Sequence, residues 1–341
     1  MIDLRKVVDT DTWREQREKI RRALFDYIGE NFCLVSDPLY EEIDEDDGDI
    51  FVPDTKIIEE STVDKVRRLV IEYSFGDAKD EGKKVNGVVF TPVKYKKESL
   101  PAVLCCPDLS LDKSNVKHTE TFEEVVCKGL AELGYITLVP DYSIVFRSNE
   151  VPRKSRRVAE KNVANRGSKS SKEAQILEIL SASLCVFGTW ISSDIPSIGV
   201  IGKNFGALQA ILLTAMEAVV QSCVAIGDVA QWRETNSKHN WICNKEIDIL
   251  PELRRDMLKG ESPIDLEHIM ALCAPSALLL LNPVPRGESR RGTKSVPTYL
   301  KPVVSIYEIL GMPEAIKVVS KSIREDEDYI PLIEDWLSEW L

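Results

Sequence analysis

The residues that come nearest to a catalytic motif follow an apolar segment in the middle of the chain. They read Gly202-Lys203-Asn204-Phe205-Gly206, and we call them the elbow. Their spacing is that of a G-x-S-x-G motif, in which a serine on a sharp strand-to-helix turn is the nucleophile. Asparagine tolerates the positive φ of such a turn, but a carboxamide is a poor nucleophile. We therefore predict that Asn204 replaces the nucleophilic serine and keeps the turn without its chemistry.

The elbow needs a strand before it and a helix after it, and the sequence predicts both. The apolar stretch 197–202 (SIGVIG) is typical of a central parallel strand. A helical stretch, FGALQAILLTAMEA, follows it with almost no loop. Gly202 and Gly206 suit this arrangement, because a side chain at either position would collide with the neighbouring helix and strand.

The rest of the chain predicts an α/β protein. From residue 101 to the end, apolar strands alternate with helical segments, which is the pattern of a parallel sheet with crossover helices. Two further strands around 64–92 predict an antiparallel hairpin at the N-terminal edge. We expect a mostly parallel eight-stranded sheet with helices on both faces. Residues 1–62 are expected to form an N-terminal helix and an acidic lead-in packed on the core, and residues 63–341 to form the main domain.

Three segments besides the elbow strand carry a resemblance to a known family. They are LGYITLVPDY at 133–142, IMALCAPS at 269–276, and DWL at 335–337. Together with the elbow they resemble the acetyl-xylan-esterase and dienelactone-hydrolase side of the α/β-hydrolase superfamily, over roughly residues 64–341. The resemblance implies the α/β-hydrolase fold and an esterase-like site with a serine, a histidine, an acid and an oxyanion hole.

The departures from that family fall where its chemistry should be. The family follows its third strand with His-Gly, which shapes the oxyanion hole, whereas this chain reads Cys106-Pro107-Asp108. A carboxylate at Asp108 would oppose a developing oxyanion. The general-base histidine should follow the last strand, but the stretch 320–328 (SKSIREDED) contains none. A degenerate catalytic triad is therefore predicted.

Other residues are candidates for the missing roles. Asp228 and Glu288 are the acids available after the sixth and seventh strands, although either can equally be a solvated loop carboxylate. His239 lies in a tryptophan-containing loop at the active-site edge of the sheet and is a possible substitute base. His268 is expected to pack or cap a helix, and His118 to lie on the surface. The residues predicted to line a ligand-binding pocket are Cys106, Pro107, Asp108, Lys203, Phe205 and Trp232.

Charge and composition restrict the partners. The net charge is −12, which argues against nonspecific nucleic-acid binding. A basic insertion at 143–172 departs from this balance, since its part from 147 onward holds nine Lys and Arg against two Glu. It is interpreted either as a solvated loop or as a contact for an anion or an acidic partner through Arg153, Arg156 and Arg157.

Compartment and cofactors follow from the cysteines and from hydropathy. The eight cysteines form no CxxC pair and mostly fall in apolar strand or helix patterns, as expected of reduced core thiols. We predict a cytoplasmic protein without a signal peptide or a membrane span, and no metal site or cofactor.

Three functions remain open at this point. The favoured one is an esterase-like pseudoenzyme that serves as a ligand-binding or interaction scaffold. The second is an enzyme with rewired, non-Ser-His chemistry, such as a biosynthetic cyclase or lyase. The third is a residual esterase that uses His239 and a water molecule. The sequence does not separate the first two, because both need an intact pocket.

Overall fold

The computed structural model describes most of the chain. The description covers residues 2–29, 52–76, 83–94, 100–109, 121–147, 171–188, 197–227, 229–233, 241–242, 244, 247–283, 296–321, 323 and 325–341. Several predicted positions lie outside the described residues, namely His118, Arg153, Arg156, Arg157, Asp228, His239 and Glu288, together with residues 148–170 of the basic insertion.

A single mostly parallel sheet runs through the described residues, in the order β1-β2-β3-β5-β4-β6-β7-β8-β9. The pairs β1/β2, β2/β3 and β3/β5 are antiparallel, and the remaining pairs are parallel. This confirms the predicted α/β architecture and its antiparallel N-terminal edge. The strands are β1 Thr55–Val63, β2 Val66–Ser74, β3 Lys84–Pro92, β4 Ala102–Cys106, β5 Ile136–Pro140, β6 Ile198–Lys203, β7 Val220–Ile226, β8 Ala277–Leu281 and β9 Ile316–Val319.

The α-helices in the described ranges alternate with the strands from β4 onward. Within those ranges, no helix combines the length and the apolar character that crossing a bilayer requires. The helices are α1 Thr10–Ile28, α2 Phe122–Glu132, α3 Ile144–Arg147, α4 Lys172–Val186, α5 Phe205–Met216, α6 Pro251–Lys259, α7 Leu266–Leu272, α8 Lys301–Ile309 and α9 Ile330–Trp340.

The prediction of eight strands was wrong, since the described residues form nine. The additional strand is β1, Thr55–Val63, which was expected to belong to the irregular lead-in. Its sequence, TKIIEESTV, carries two adjacent isoleucines and two adjacent glutamates rather than a regular alternation. Every residue of β1 is at least partly exposed, so burial did not shape its sequence and hydrophobic periodicity could not reveal it.

The central strands owe their position to burial on both faces. Strands β4 (AVLCC) and β8 (ALLLL) are buried at every residue, as parallel strands covered by helices must be. The two faces of β6 can be told apart at its glycines. A Cβ on Gly199 would meet Leu337 and Leu341 at the C-terminal helix α9, whereas one on Gly202 would meet the backbone of α5. Residues three apart in a strand face opposite sides, so helices cover both faces of the sheet.

Helix α1 begins and ends as its sequence predicts. The Asp9 side chain accepts a hydrogen bond from Thr12 N at 2.8 Å and caps the first turn. Gly29 ends the helix with a φ of 111° and donates its N–H to the Phe25 carbonyl at 2.8 Å. The buried face of α1, which includes Ile20 and Leu24, joins the core, and the helix packs against α7.

Strand order brings the elbow beside the end of β4. Strands β4 and β6 are parallel neighbours, and Cys106 at the end of β4 is paired in register with Gly202. The chain continues from β4 into Pro107 and Asp108 and from β6 into Asn204. The two exits therefore lie side by side at the carboxyl edge of the sheet, which is where ligands bind in open α/β folds.

The elbow glycines give the first testable prediction. A Cβ on Gly202 would overlap the Gly206 carbonyl, and one on Gly206 would overlap the Cys106 carbonyl. Both obstacles are backbone atoms and cannot rotate away, so Gly202→Ala and Gly206→Ala should each lower the free energy of unfolding by about 3 kcal/mol. Urea denaturation measures the change.

Gly188→Ala is the matched control. No heavy atom lies within 4 Å of the position of its Cβ, and it should change the stability by less than about 0.5 kcal/mol. Equal stabilities for Gly202→Ala and Gly188→Ala would show that the elbow is not packed as described.

Candidate functional site

Asn204 stands between β6 and α5 in a strained backbone conformation. Its φ is 52° and its ψ is −108°, which matches the positive φ expected for the elbow residue. Its N–H donates to the Ile226 carbonyl of β7 at 2.8 Å, and its own carbonyl accepts from Ala207 N at 3.1 Å in the first turn of α5. The backbone is therefore fixed on both sides of the turn, and the side chain projects from a rigid support.

The Asn204 side chain and the first N–H of α5 bind one carboxylate. Asn204 Nδ2 donates to Asp108 Oδ2 at 2.8 Å, and Phe205 N donates to Asp108 Oδ1 at 3.1 Å. In a G-x-S-x-G enzyme, the N–H of the residue after the nucleophile is one of the two oxyanion-hole donors. The residue after Asn204 is Phe205, and its N–H is bound to the Asp108 carboxylate.

The backbone around Asp108 is held by two buried side chains. Asp108 N donates to Glu123 Oε1 at 2.8 Å, and the Tyr142 hydroxyl donates to the Pro107 carbonyl. Glu123 is 7% exposed and Tyr142 is 1% exposed. Because Glu123 belongs to the first turn of α2 and Tyr142 follows β5, the segment after β4 is anchored from two directions.

An ion pair forms where the chain returns from β9. Lys203 Nζ lies 2.7 Å from Asp326 Oδ1. The same ammonium group lies over the Phe122 ring at 4.6 Å and the Tyr329 ring at 5.5 Å from their centroids. Lys203, which was predicted to line a pocket, ties the elbow to the segment between β9 and α9.

Several solved structures are similar to this chain over nearly its whole length. A methylesterase matches with a TM-score of 0.61 and 15% identity over 98% of this chain, and the chain spans 65% of that protein. A glucuronoyl esterase from Solibacter usitatus matches with a TM-score of 0.63 and 13% identity, covering 96% of this chain and 94% of the other. A candidate acetyl xylan esterase from Bacteroides fragilis matches with a TM-score of 0.61 and 14% identity, covering 97% and 89%.

The chain has the α/β-hydrolase fold. At these identities the likeness establishes the fold, in agreement with the resemblance in the sequence, and leaves the activity open. No family model and no curated protein matches the sequence.

Two asparagines with positive φ lie at the carboxyl ends of strands. Asn204 follows β6 and Asn282 follows β8, each with a φ of 52°. Asn282 Oδ1 accepts from Lys321 N at 2.8 Å and so holds the start of the segment after β9. Asn282 was missed in the sequence. Its signal was an asparagine directly after an apolar strand, a residue type that favours positive φ.

Aromatic side chains surround Phe205 beside the elbow. The fully buried Phe205 ring makes edge contacts with Tyr142, Phe146 and Trp241 at centroid distances of 6.2, 6.3 and 5.2 Å. Such edge-to-face pairs stabilise a packed cluster. Phe205 therefore contributes both a backbone donor to Asp108 and a side chain to the core.

The predicted pocket residues Cys106 and Trp232 are both buried. Cys106 is fully buried, and burial raises the pKa of its thiol, so the thiolate needed for nucleophilic chemistry is disfavoured. Trp232 is 5% exposed and donates its backbone N–H to Asp265 Oδ1 at 2.7 Å. This hydrogen bond joins Trp232 to the residue that caps α7.

His268 caps a helix, as its sequence context indicates. Its Nδ1 accepts from Asp265 N at 2.9 Å, and its Nε2 lies 2.8 Å from the Ile2 carbonyl. A carbonyl only accepts, so Nε2 carries the proton and the imidazole is neutral. Burial lowers the pKa of His268 and favours the same neutral form. Both ring nitrogens have structural partners, which leaves His268 without a free nitrogen for catalysis.

Metal-ligating side chains do not gather in the part of the chain that the structure describes. No group of three His, Cys, Asp or Glu lies close enough there to hold an ion. The described cysteines are all buried free thiols: Cys105, Cys106, Cys127, Cys185, Cys223 and Cys273.

A buried acid near the elbow was not found from the sequence. Glu173, in the first turn of α4, is fully buried and accepts from Gln209 Nε2 of α5 at 3.2 Å. Within the described residues, Glu173 Oε1 and Gln209 Oε1 have no hydrogen-bond partner. A protonated carboxyl can donate to an amide oxygen and so remove this deficit. Burial raises the pKa of Glu173 to about 7.

Because of the buried Glu173, the free energy of unfolding should fall as the pH rises. The unfolded chain releases this proton near its ordinary pKa of 4.5, whereas the folded chain keeps it until about 7. The contribution of the protonated group is therefore full below pH 4.5 and is lost as the pH rises to 7, by about 3 kcal/mol. Glu173→Gln should remove this part of the fall in a series of urea denaturations between these pH values.

Glu132→Gln provides the control, because Glu132 is an exposed carboxylate at the end of helix α2. It should keep the pH dependence of the wild type. The same slope in Glu173→Gln as in the wild type would mean that Glu173 is charged in the folded protein.

Proposed function

We propose that this chain is a non-hydrolytic member of the α/β-hydrolase fold, an esterase-like pseudoenzyme that serves as a ligand-binding or interaction scaffold. The observation that carries the proposal is the carboxylate of Asp108 on Phe205 N, together with Asn204 at the nucleophile position. Each of the two removes a separate requirement of ester hydrolysis.

The first requirement is a nucleophile with a base. The Asn204 amide nitrogen is engaged with Asp108, and its lone pair is delocalised into the carbonyl, so it does not attack an ester. The segment after β9 carries Asp326 paired with Lys203 in the region where the fold places its histidine. A water molecule near the elbow would therefore meet no imidazole from this segment, which contains no histidine.

The second requirement is a donor for the developing oxyanion. Phe205 N already donates to Asp108, and a tetrahedral intermediate would have to displace that carboxylate or lie beside it. Two unit negative charges 4 Å apart repel by about 4 kcal/mol at an effective dielectric constant near 20. The elbow would thus raise the barrier to ester hydrolysis instead of lowering it.

The predicted outcome of an activity assay is no turnover. The structural relatives act on esters, so p-nitrophenyl acetate and the methyl ester of glucuronic acid are suitable substrates. Release of p-nitrophenol or methanol by the purified chain should equal the buffer blank. Turnover above the blank that disappears in His239→Ala would support the residual esterase and contradict the proposal.

A serine at the elbow should not restore activity. Asn204→Ser supplies a hydroxyl but neither a base nor a free oxyanion donor, and catalytic groups that act as a unit give little singly. The variant should hydrolyse neither ester and should lose about 1–2 kcal/mol of stability, because the hydrogen bond from Asn204 Nδ2 to Asp108 is lost. A large gain in the esterase rate of this single variant would reveal a base that the proposal denies.

A further inference from the structure

The partners of Asp108 show how its negative charge is stabilised. None of the ion pairs among the described residues involves Asp108, and the nearby Lys203 is paired with Asp326. The carboxylate instead receives one N–H on each oxygen, from Phe205 N and Asn204 Nδ2. Each carboxylate oxygen thus accepts one charge-assisted hydrogen bond, one from the backbone and one from a side chain.

The helix behind these donors lacks a cap of its own. Helix α5 is twelve residues long, makes no side-chain cap hydrogen bond through Asn204, and has no acidic residue in its first turn. Asp108, 96 positions before Asn204, provides the negative group that favours this helix end. The anion at the elbow thus comes from another part of the chain.

We propose that Asp108 is an internal ligand of the elbow, and that the elbow binds a small free carboxylate when this side chain is removed. The inference rests on the proposed loss of hydrolysis at the same site. It differs from that proposal in assigning the vacated site a ligand class, a carboxylate that receives one N–H on each oxygen.

The backbone should stay in place when the side chain is shortened. Glu123 binds Asp108 N, and Tyr142 binds the Pro107 carbonyl, and neither contact uses the Asp108 carboxylate. Asp108 and Asn204 are both partly exposed, so a small solute can reach them. Asp108→Ala therefore leaves both donors in position with space for the missing atoms, and formate has the size of the carboxylate that was removed.

The test compares sodium formate with sodium chloride at about 100 mM and equal ionic strength. Formate should raise the Tm of Asp108→Ala by about 2 °C over chloride and leave the wild type unchanged, because only the variant has the site free. Equilibrium dialysis with labelled formate should find one bound ion per chain in Asp108→Ala and none in the wild type.

Two further variants act as matched controls. Asp108→Asn keeps the shape of the side chain and fills the site with a neutral amide, so it should bind no formate. Asn204→Ala in the Asp108→Ala background removes the side-chain donor and should weaken formate binding at least about tenfold, the loss expected for one charge-assisted hydrogen bond.

The inference is overturned if Asp108→Ala responds to formate no more than to chloride, or if the wild type binds formate equally well. If Asp108→Ala does not fold in chloride, refolding is compared in the two salts. Recovery in formate alone supports the inference, and equal recovery or equal failure contradicts it. Ester hydrolysis measured on the wild type bears on the proposed function, and its result does not alter the formate comparison.

Discussion

The two hydrogen bonds that Asp108 accepts, from Phe205 N at 3.1 Å and from Asn204 Nδ2 at 2.8 Å, join the two halves of the candidate site. They link the end of β4 to the turn between β6 and α5. They exist because β4 and β6 are parallel neighbours whose ends are in register, and because Glu123 and Tyr142 hold the backbone before the carboxylate. In an esterase of this fold, the same N–H must stay available for a transition state. Here it is satisfied in the resting protein.

The polar groups on the other side of the elbow are also paired. Catalytic hydrogen bonds are often long or poorly aligned before a substrate binds. In this chain Lys203 is paired with Asp326 and stacked on two aromatic rings, and Asn282 binds the backbone of the returning segment. These contacts stabilise the segment after β9 in the absence of any ligand. The polar groups at both positions are thus engaged in contacts within the chain.

Much of this arrangement could be predicted from local sequence. The pattern Gly202-x-Asn204-x-Gly206 predicted a tight turn with positive φ at Asn204, because only backbone sterics decide it. The alternation of strands and helices predicted the sheet. Strand β1 was missed because its exposed residues show no periodicity. Glu173 was missed because its sequence neighbours do not indicate that an acid is buried there. The contact between Asp108 and Asn204 joins residues 96 positions apart, and only the strand order brings them together. The sequence identified Asp108 as a difference from the esterase family that it resembles. It did not predict the hydrogen bond that Asp108 accepts from Phe205 N.

The central claim is that a carboxylate occupies the N–H of Phe205, and that proton can be observed directly. The chain contains nine phenylalanines, so selective ¹⁵N-phenylalanine labelling gives a simple amide spectrum, in which Phe205→Leu identifies the signal. A hydrogen bond to a charged oxygen deshields the proton. The account predicts that the Phe205 signal lies downfield in the wild type and moves upfield in Asp108→Ala, while the other phenylalanine signals far from the elbow stay in place. A Phe205 signal that is the same in both proteins would show that Asp108 does not occupy this donor, and would contradict the account.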